Sequence, residues 1–140
     1  MSANTPLHPE GFYRGLEYFN RGFYYECHDE WEEIWGDAKG KDKVFYQALI
    51  MAAVSLYHFG NENLEGALSC LQKSLGRFAE LPGRYLGVNV AGFVGKMEEF
   101  YQGMSVSGTV LTPELLARPR PLLRLESDLE GESREGIKPG

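Results

Sequence analysis

Cysteine is scarce in this 140-residue chain, and positive charge is the minority sign. The two cysteines, Cys27 and Cys70, stand singly within helical patterns and not in a C-x-x-C arrangement, which argues against a disulfide framework or a zinc knuckle. Buried free thiols in a reducing cytoplasm are the plain expectation. Lys and Arg number 14 against 20 Asp and Glu, for a formal net charge of -6, and the cations are scattered along the sequence. Duplex nucleic acid needs a basic stripe, so no nucleic-acid partner is expected. Long apolar runs are missing too. The best candidate, Val44–Phe59, falls short of the ~20 residues of a membrane span and is flanked by glycine, asparagine and charge, so no membrane role is expected. The opening stretch MSANTPLHPEG has no basic n-region and no apolar h-region, and is not read as a signal peptide. Several catalytic signatures are absent: H-E-x-x-H, the E-x-x-H of di-iron bundles, G-x-S-x-G, a P-loop and a dinucleotide fingerprint.

What is present is helix. Val44–Phe59 (VFYQALIMAAVSLYHF) has no proline or glycine and carries few polar side chains, chiefly Gln47, Ser55 and His58. An all-round apolar helix of about 24 Å belongs at the centre of a bundle. Around it, Pro9 opens a first helix through Phe12, Leu16 and Phe19, ended by Asn20 and Gly22. A second helix runs from about Phe23 to Gly36, with Tyr24, Cys27, Trp31, Ile34 and Trp35 on one face. The polar stretch Asp37–Asp42 reads as a short turn, making helices two and three an antiparallel hairpin. Asn61 or Asn63 caps a fourth helix, Leu64–Leu81, and Asn89 caps a fifth over about Val90–Gln102. The expected fold is all-α, a bundle of about five helices over residues 1–104. An extended strap over 105–127 follows, containing Arg118-Pro119-Arg120-Pro121, and then a disordered tail over 128–140.

The polar side chains of the central helix need partners if they are buried. Gln47, Met51, Val54 and His58 share one stripe by their i, i+4, i+7, i+11 spacing. If that stripe faces helix two, Gln47 comes near Glu32 and Trp35, and His58 near His28 and Tyr24. The two imidazoles start roughly 10 Å apart along the hairpin axis and lean toward each other. The plainest reading is a set of satisfied core hydrogen bonds. A carboxylate beside two imidazoles also suits a divalent metal, so a metal-dependent hydrolase using His28, Glu32 and His58 is the alternative. Small-ligand binding is a third reading. Leftover aromatics such as Tyr13 and Tyr18 fit a homodimer contact.

Phe19 to Trp35 reads F-N-x-G-x-Y-x-E-x-H-D-x-W-E-x-x-W, and this resembles the signature of the domain of unknown function 309 family. The resemblance continues through Gln47-Ala48-Leu49-Ile50, Tyr57-His58, Asn63-Leu64-Glu65-Gly66-Ala67 and Leu86-Gly87-Val88-Asn89, covering about Phe12 to Tyr101. It implies a small all-α bundle without an established biochemical activity. The family's polar positions fall on Glu26, His28, Glu32, Gln47, His58 and Asn63. This chain departs in having Asp29 where Glu is commoner, Glu62 where glycine often precedes the asparagine, and Asn89 where Asp is frequent.

Overall fold

Helix α3 (Gly40–Gly60) runs through the middle of the molecule, which a computed structural model describes over residues 6–126. It packs against α2 (Tyr24–Asp37) on one side and α4 (Leu64–Phe78) on the other, while α1 (Glu10–Asn20) lies on α2. The close approach of α3 and α4 follows from their small residues. Ala48, Ala52, Ala53 and Ala67 are all fully buried. Two hydroxyls in that seam satisfy themselves on the facing helix: Ser55 Oγ donates to the Ala67 carbonyl at 2.7 Å and Ser74 Oγ to the Ala48 carbonyl at 2.7 Å. The central helix is therefore buried on most of its surface, but not on every side as its composition suggests. Gln47, Met51, Val54 and His58 are half-buried and Tyr57 is exposed, and Val54, Tyr57 and His58 line a hollow shared with α2.

The turn between α2 and α3 is shorter than expected. Lys41, Asp42 and Lys43 belong to the first turn of α3, where Asp42 favours the helix N-terminus and accepts from the Tyr85 hydroxyl, and Lys43 Nζ lies over the Trp35 ring at 4.3 Å. Further on, Asn63 caps α4 by accepting from the Gly66 N–H at 2.9 Å, and α4 ends at Phe78. The stretch expected as loop forms a two-residue antiparallel ladder, β1 (Arg84–Tyr85) with β2 (Val88–Asn89). Its turn residues Leu86 and Gly87 have φ of 48° and 79°, as a two-residue hairpin turn of type I′ requires. Glycine adopts that conformation freely and leucine does not.

Asn89 then caps α5 (Val90–Tyr101) through the Gly92 N–H at 3.0 Å. Thr112 caps a single turn, α6 (Pro113–Leu116), through Leu115 N–H at 3.2 Å. From Arg118 the chain is extended and lies across the bundle. Asn20, at the end of α1, holds it like a strand partner: its Nδ2 donates to the Leu123 carbonyl at 2.9 Å and its Oδ1 accepts from the Leu123 N–H at 2.8 Å. Leu123 is buried, and Leu125 bridges to Val88. The expected tail, 128–140, lies outside the described residues. No described helix is long and apolar enough to cross a membrane.

Candidate functional site

The N-terminal half of α2 and the C-terminal half of α3 diverge to leave a hollow of about 180 Å³, lined by Tyr24, Tyr25, His28, Val54, Tyr57 and His58. Both histidines thus border one space, but each is tied up locally. His28 Nε2 lies 3.3 Å from Glu32 Oε2 and its Nδ1 3.4 Å from Asp29 Oδ1, so this imidazole sits between two mostly exposed carboxylates of its own helix. His58 Nδ1 is 3.3 Å from Asn63 Nδ2, whose amide oxygen already accepts from Gly66. The amide nitrogen can only donate, so Nδ1 of His58 accepts and the neutral ring carries its proton on Nε2. The histidine thereby orients the N-cap of α4.

The expected mutual satisfaction of imidazole, amide and carboxylate along the seam is not what the structure contains. Glu26 is exposed. Gln47 is half-buried and its side chain makes no hydrogen bond to another described residue. The physical reason is partial exposure: along the open edge these groups keep water or a helical neighbour, and have no need of one another. Among the described residues no group of three His, Cys, Asp or Glu side chains is placed to hold a metal ion, so His28, Glu32 and His58 do not converge as a ligand set.

The sequence reading overlooked the histidine that is truly buried. His8 is 5% exposed, stacked on Phe12 with ring centroids 3.7 Å apart. Its Nε2 lies 2.8 Å from the Leu86 carbonyl and its Nδ1 2.8 Å from the Tyr46 hydroxyl. A carbonyl only accepts, so Nε2–H donates to Leu86 and the Tyr46 hydroxyl donates to Nδ1, both bonds fitting the neutral ring. Burial pushes the His8 pKa below its ordinary value, against smaller opposing effects from the Leu86 carbonyl and Asp42. Burial likewise raises the Tyr46 phenol, keeping it a donor. His8 precedes the first periodic segment, so no pattern marked it. A second buried pair is Ser55 and Tyr101: the Tyr101 hydroxyl donates to the Ser55 carbonyl at 3.1 Å, closing α5 onto α3. Both clusters are closed on themselves and read as structural.

The aromatic surface also differs from expectation. Tyr13 and Tyr18 pack partly buried against the core. The aromatic side chains left in solvent are Phe23 at 45%, Tyr25 at 60% and Tyr57 at 40%; Tyr25 and Tyr57 line the hollow with their rings 6.0 Å apart, while Phe23 sits against Tyr18 and Arg21.

Residues 12–70 match a family described as a domain of unknown function (DUF309), which bears out the resemblance read from the Phe19–Trp35 motif. The match takes in the α2–α3 hollow and stops short of the Leu86–Asn89 stretch. The chain is also similar to an uncharacterised protein of Aquifex aeolicus (strain VF5), 30% identical over 82 residues, or 58% of this chain. That stretch is 25% of the relative, so this chain spans about a quarter of the length of the curated protein it matches.

Proposed function

We propose that this chain is a non-catalytic helical binding module of the reducing cytoplasm that self-associates through the face around the α2–α3 hollow. The observation that carries this is the exposure of Tyr25 and Tyr57 at the rim of a hollow of about 180 Å³. That volume is close to the ~150 Å³ cavity that accommodates benzene, so the hollow suits one aromatic ring. A projecting ring and a receiving hollow on the same face make that face self-complementary, as a two-fold contact requires. The Nε2–H of His58, which its Asn63 contact leaves unused, gives an incoming tyrosine a polar partner for its hydroxyl, the usual need of a buried tyrosine tip. Two further observations support the module reading. Cys27 and Cys70 are free thiols with pKa values raised by burial, hence unreactive. In the Aquifex relative the matching segment is a minor part of a longer chain.

The test is molecular mass against concentration by light scattering and sedimentation. A concentration-dependent dimer is expected, weakened by Tyr25→Ala and by Tyr57→Ala while both variants keep the wild-type circular dichroism. A wild-type monomer at every concentration, or a dimer indifferent to both substitutions, would overturn the proposal.

A further inference from the structure

The strap and α5 border an open groove of about 710 Å³, within the size range of small-molecule sites. In a chain of net charge -6 it is lined by four cationic side chains, Lys96, Arg118, Arg120 and Arg124, against one carboxylate, Glu99. Arg118, Arg120 and Arg124 lie together in the strap, and Lys96 joins them where the strap meets α5. We infer that this groove binds a small polyphosphate, either carried on a nucleotide or inorganic.

The arginines themselves argue for an anion. Elsewhere among the described residues each arginine has a carboxylate: Arg14 with Glu10 and Glu30, Arg21 with Glu17, Arg77 with Glu80, and Arg84 with Glu126. Arg118 and Arg120 form no ion pair with a described residue. They are held in place by other means. Arg118 Nη1 donates to the Phe100 carbonyl at 2.6 Å, and Arg120 Nη1 donates to the Leu116 and Arg118 carbonyls, each at 2.7 Å. The Arg120 guanidinium also lies over the Phe59 ring at 4.9 Å. Carbonyls and a ring face orient these groups by one nitrogen each without cancelling their charge, and a guanidinium has five N–H donors. Pro119 and Pro121 fix their own φ and keep Arg118 and Arg120 extended, so the two forks are presented by stiff backbone. Both guanidinium groups are half-buried beside the groove, and the planar fork fits phosphate oxygens two at a time.

Lys96, Arg118 and Arg120 together select more than one phosphate. A single phosphate reaches one or two of them, whereas two or three linked phosphates can span the groove. Leu122 and the prolines offer an apolar border for the organic part of a nucleotide. A smaller hollow of about 70 Å³, bounded by Asn89, Phe93 and Leu123, continues from the same Lys96 and Arg124.

The test is isothermal titration of the full chain with ATP, with AMP and with inorganic triphosphate, at low and raised salt. ATP or triphosphate is expected to bind at least about tenfold more tightly than AMP, with affinity falling steeply as salt rises. Lys96 is exposed on α5 and its loss leaves the fold intact, so Lys96→Gln should weaken binding roughly tenfold at an unchanged melting temperature. Arg118→Gln should weaken it further, and Arg120→Lys, which keeps the charge and loses the fork, should lie between. Tighter binding of ATP than of triphosphate identifies a nucleotide, and the reverse identifies inorganic polyphosphate; each supports the site. No heat from either at millimolar concentration, or binding that ignores Lys96→Gln and Arg118→Gln, would overturn it.

Discussion

Replacing His8 with phenylalanine isolates the one imidazole that the fold has fully withdrawn from water. The ring stack on Phe12 survives the change, and a phenyl ring suits the apolar surroundings. Two hydrogen bonds do not survive. The Leu86 carbonyl is only part-buried and recovers water, at a net cost of about 1 kcal/mol. The Tyr46 hydroxyl is buried and is left without an acceptor, which costs about 1–3 kcal/mol. Set against the added apolar contact, the net loss should be about 2 kcal/mol, read as a lower urea midpoint at unchanged slope. Adding Tyr46→Phe removes the orphaned hydroxyl, so the double variant should be more stable than His8→Phe alone, by about 1 kcal/mol.

The pH dependence gives a second reading of the same site. Because the folded pKa of His8 lies below its unfolded value near 6.5, the unfolded chain binds the proton first as pH falls. The contribution of His8 is therefore fully present above about pH 6.5 and lost as pH falls from there through the folded pKa. The stability difference between wild type and His8→Phe should shrink over that window, at a slope of at most ~1.4 kcal/mol per pH unit. A difference that stays flat from pH 7.5 to pH 5, or a double variant no better than the single, would refute this account of the buried ring.

Four further substitutions probe the frame of the fold. Gly15→Ala would put a Cβ 2.3 Å from Trp31 Nε1, displacing a fully buried ring and its bond to the Phe12 carbonyl. A loss of about 2 kcal/mol or more is expected, whereas Gly76→Ala, which meets nothing within 4 Å, should gain up to ~1 kcal/mol. Paired thermal melts decide it, and equal effects would show that α1 and α2 do not need this close approach. Glu62 has φ of 62°, so Glu62→Gly should stabilise by about 0.5–1 kcal/mol, left-handed strain outweighing the entropy of glycine. A chemical denaturation midpoint that falls would contradict it. Asn20→Ala removes both bonds to Leu123, and should speed tryptic cleavage after Arg124 while Arg118 and Arg120 stay protected by the prolines that follow them. Unchanged digestion would mean that Asn20 does not hold the strap.

Features written locally were legible in advance. The caps Asn63 and Asn89 and the five main helices needed only neighbours a few residues away, where periodicity and side-chain-to-backbone bonding act. The charged Lys41–Lys43 stretch misled because polar composition marks both a turn and the exposed first turn of a helix. His28 and His58 could be brought to one hollow from hairpin register alone. That they answer to Asp29, Glu32 and Asn63, and not to each other, depends on how far α2 departs from α3, which no spacing encodes.

The sequence by itself determined an all-α chain, its breakpoints, and the proline-stiffened strap, because each follows from backbone sterics and apolar period over short distances. Only the tertiary structure decided which histidine is buried, which aromatics remain in water and where the cations gather. His8 meets Leu86, Asn20 meets Leu123, and Lys96 comes to line one groove with Arg118 only after the chain has closed on itself.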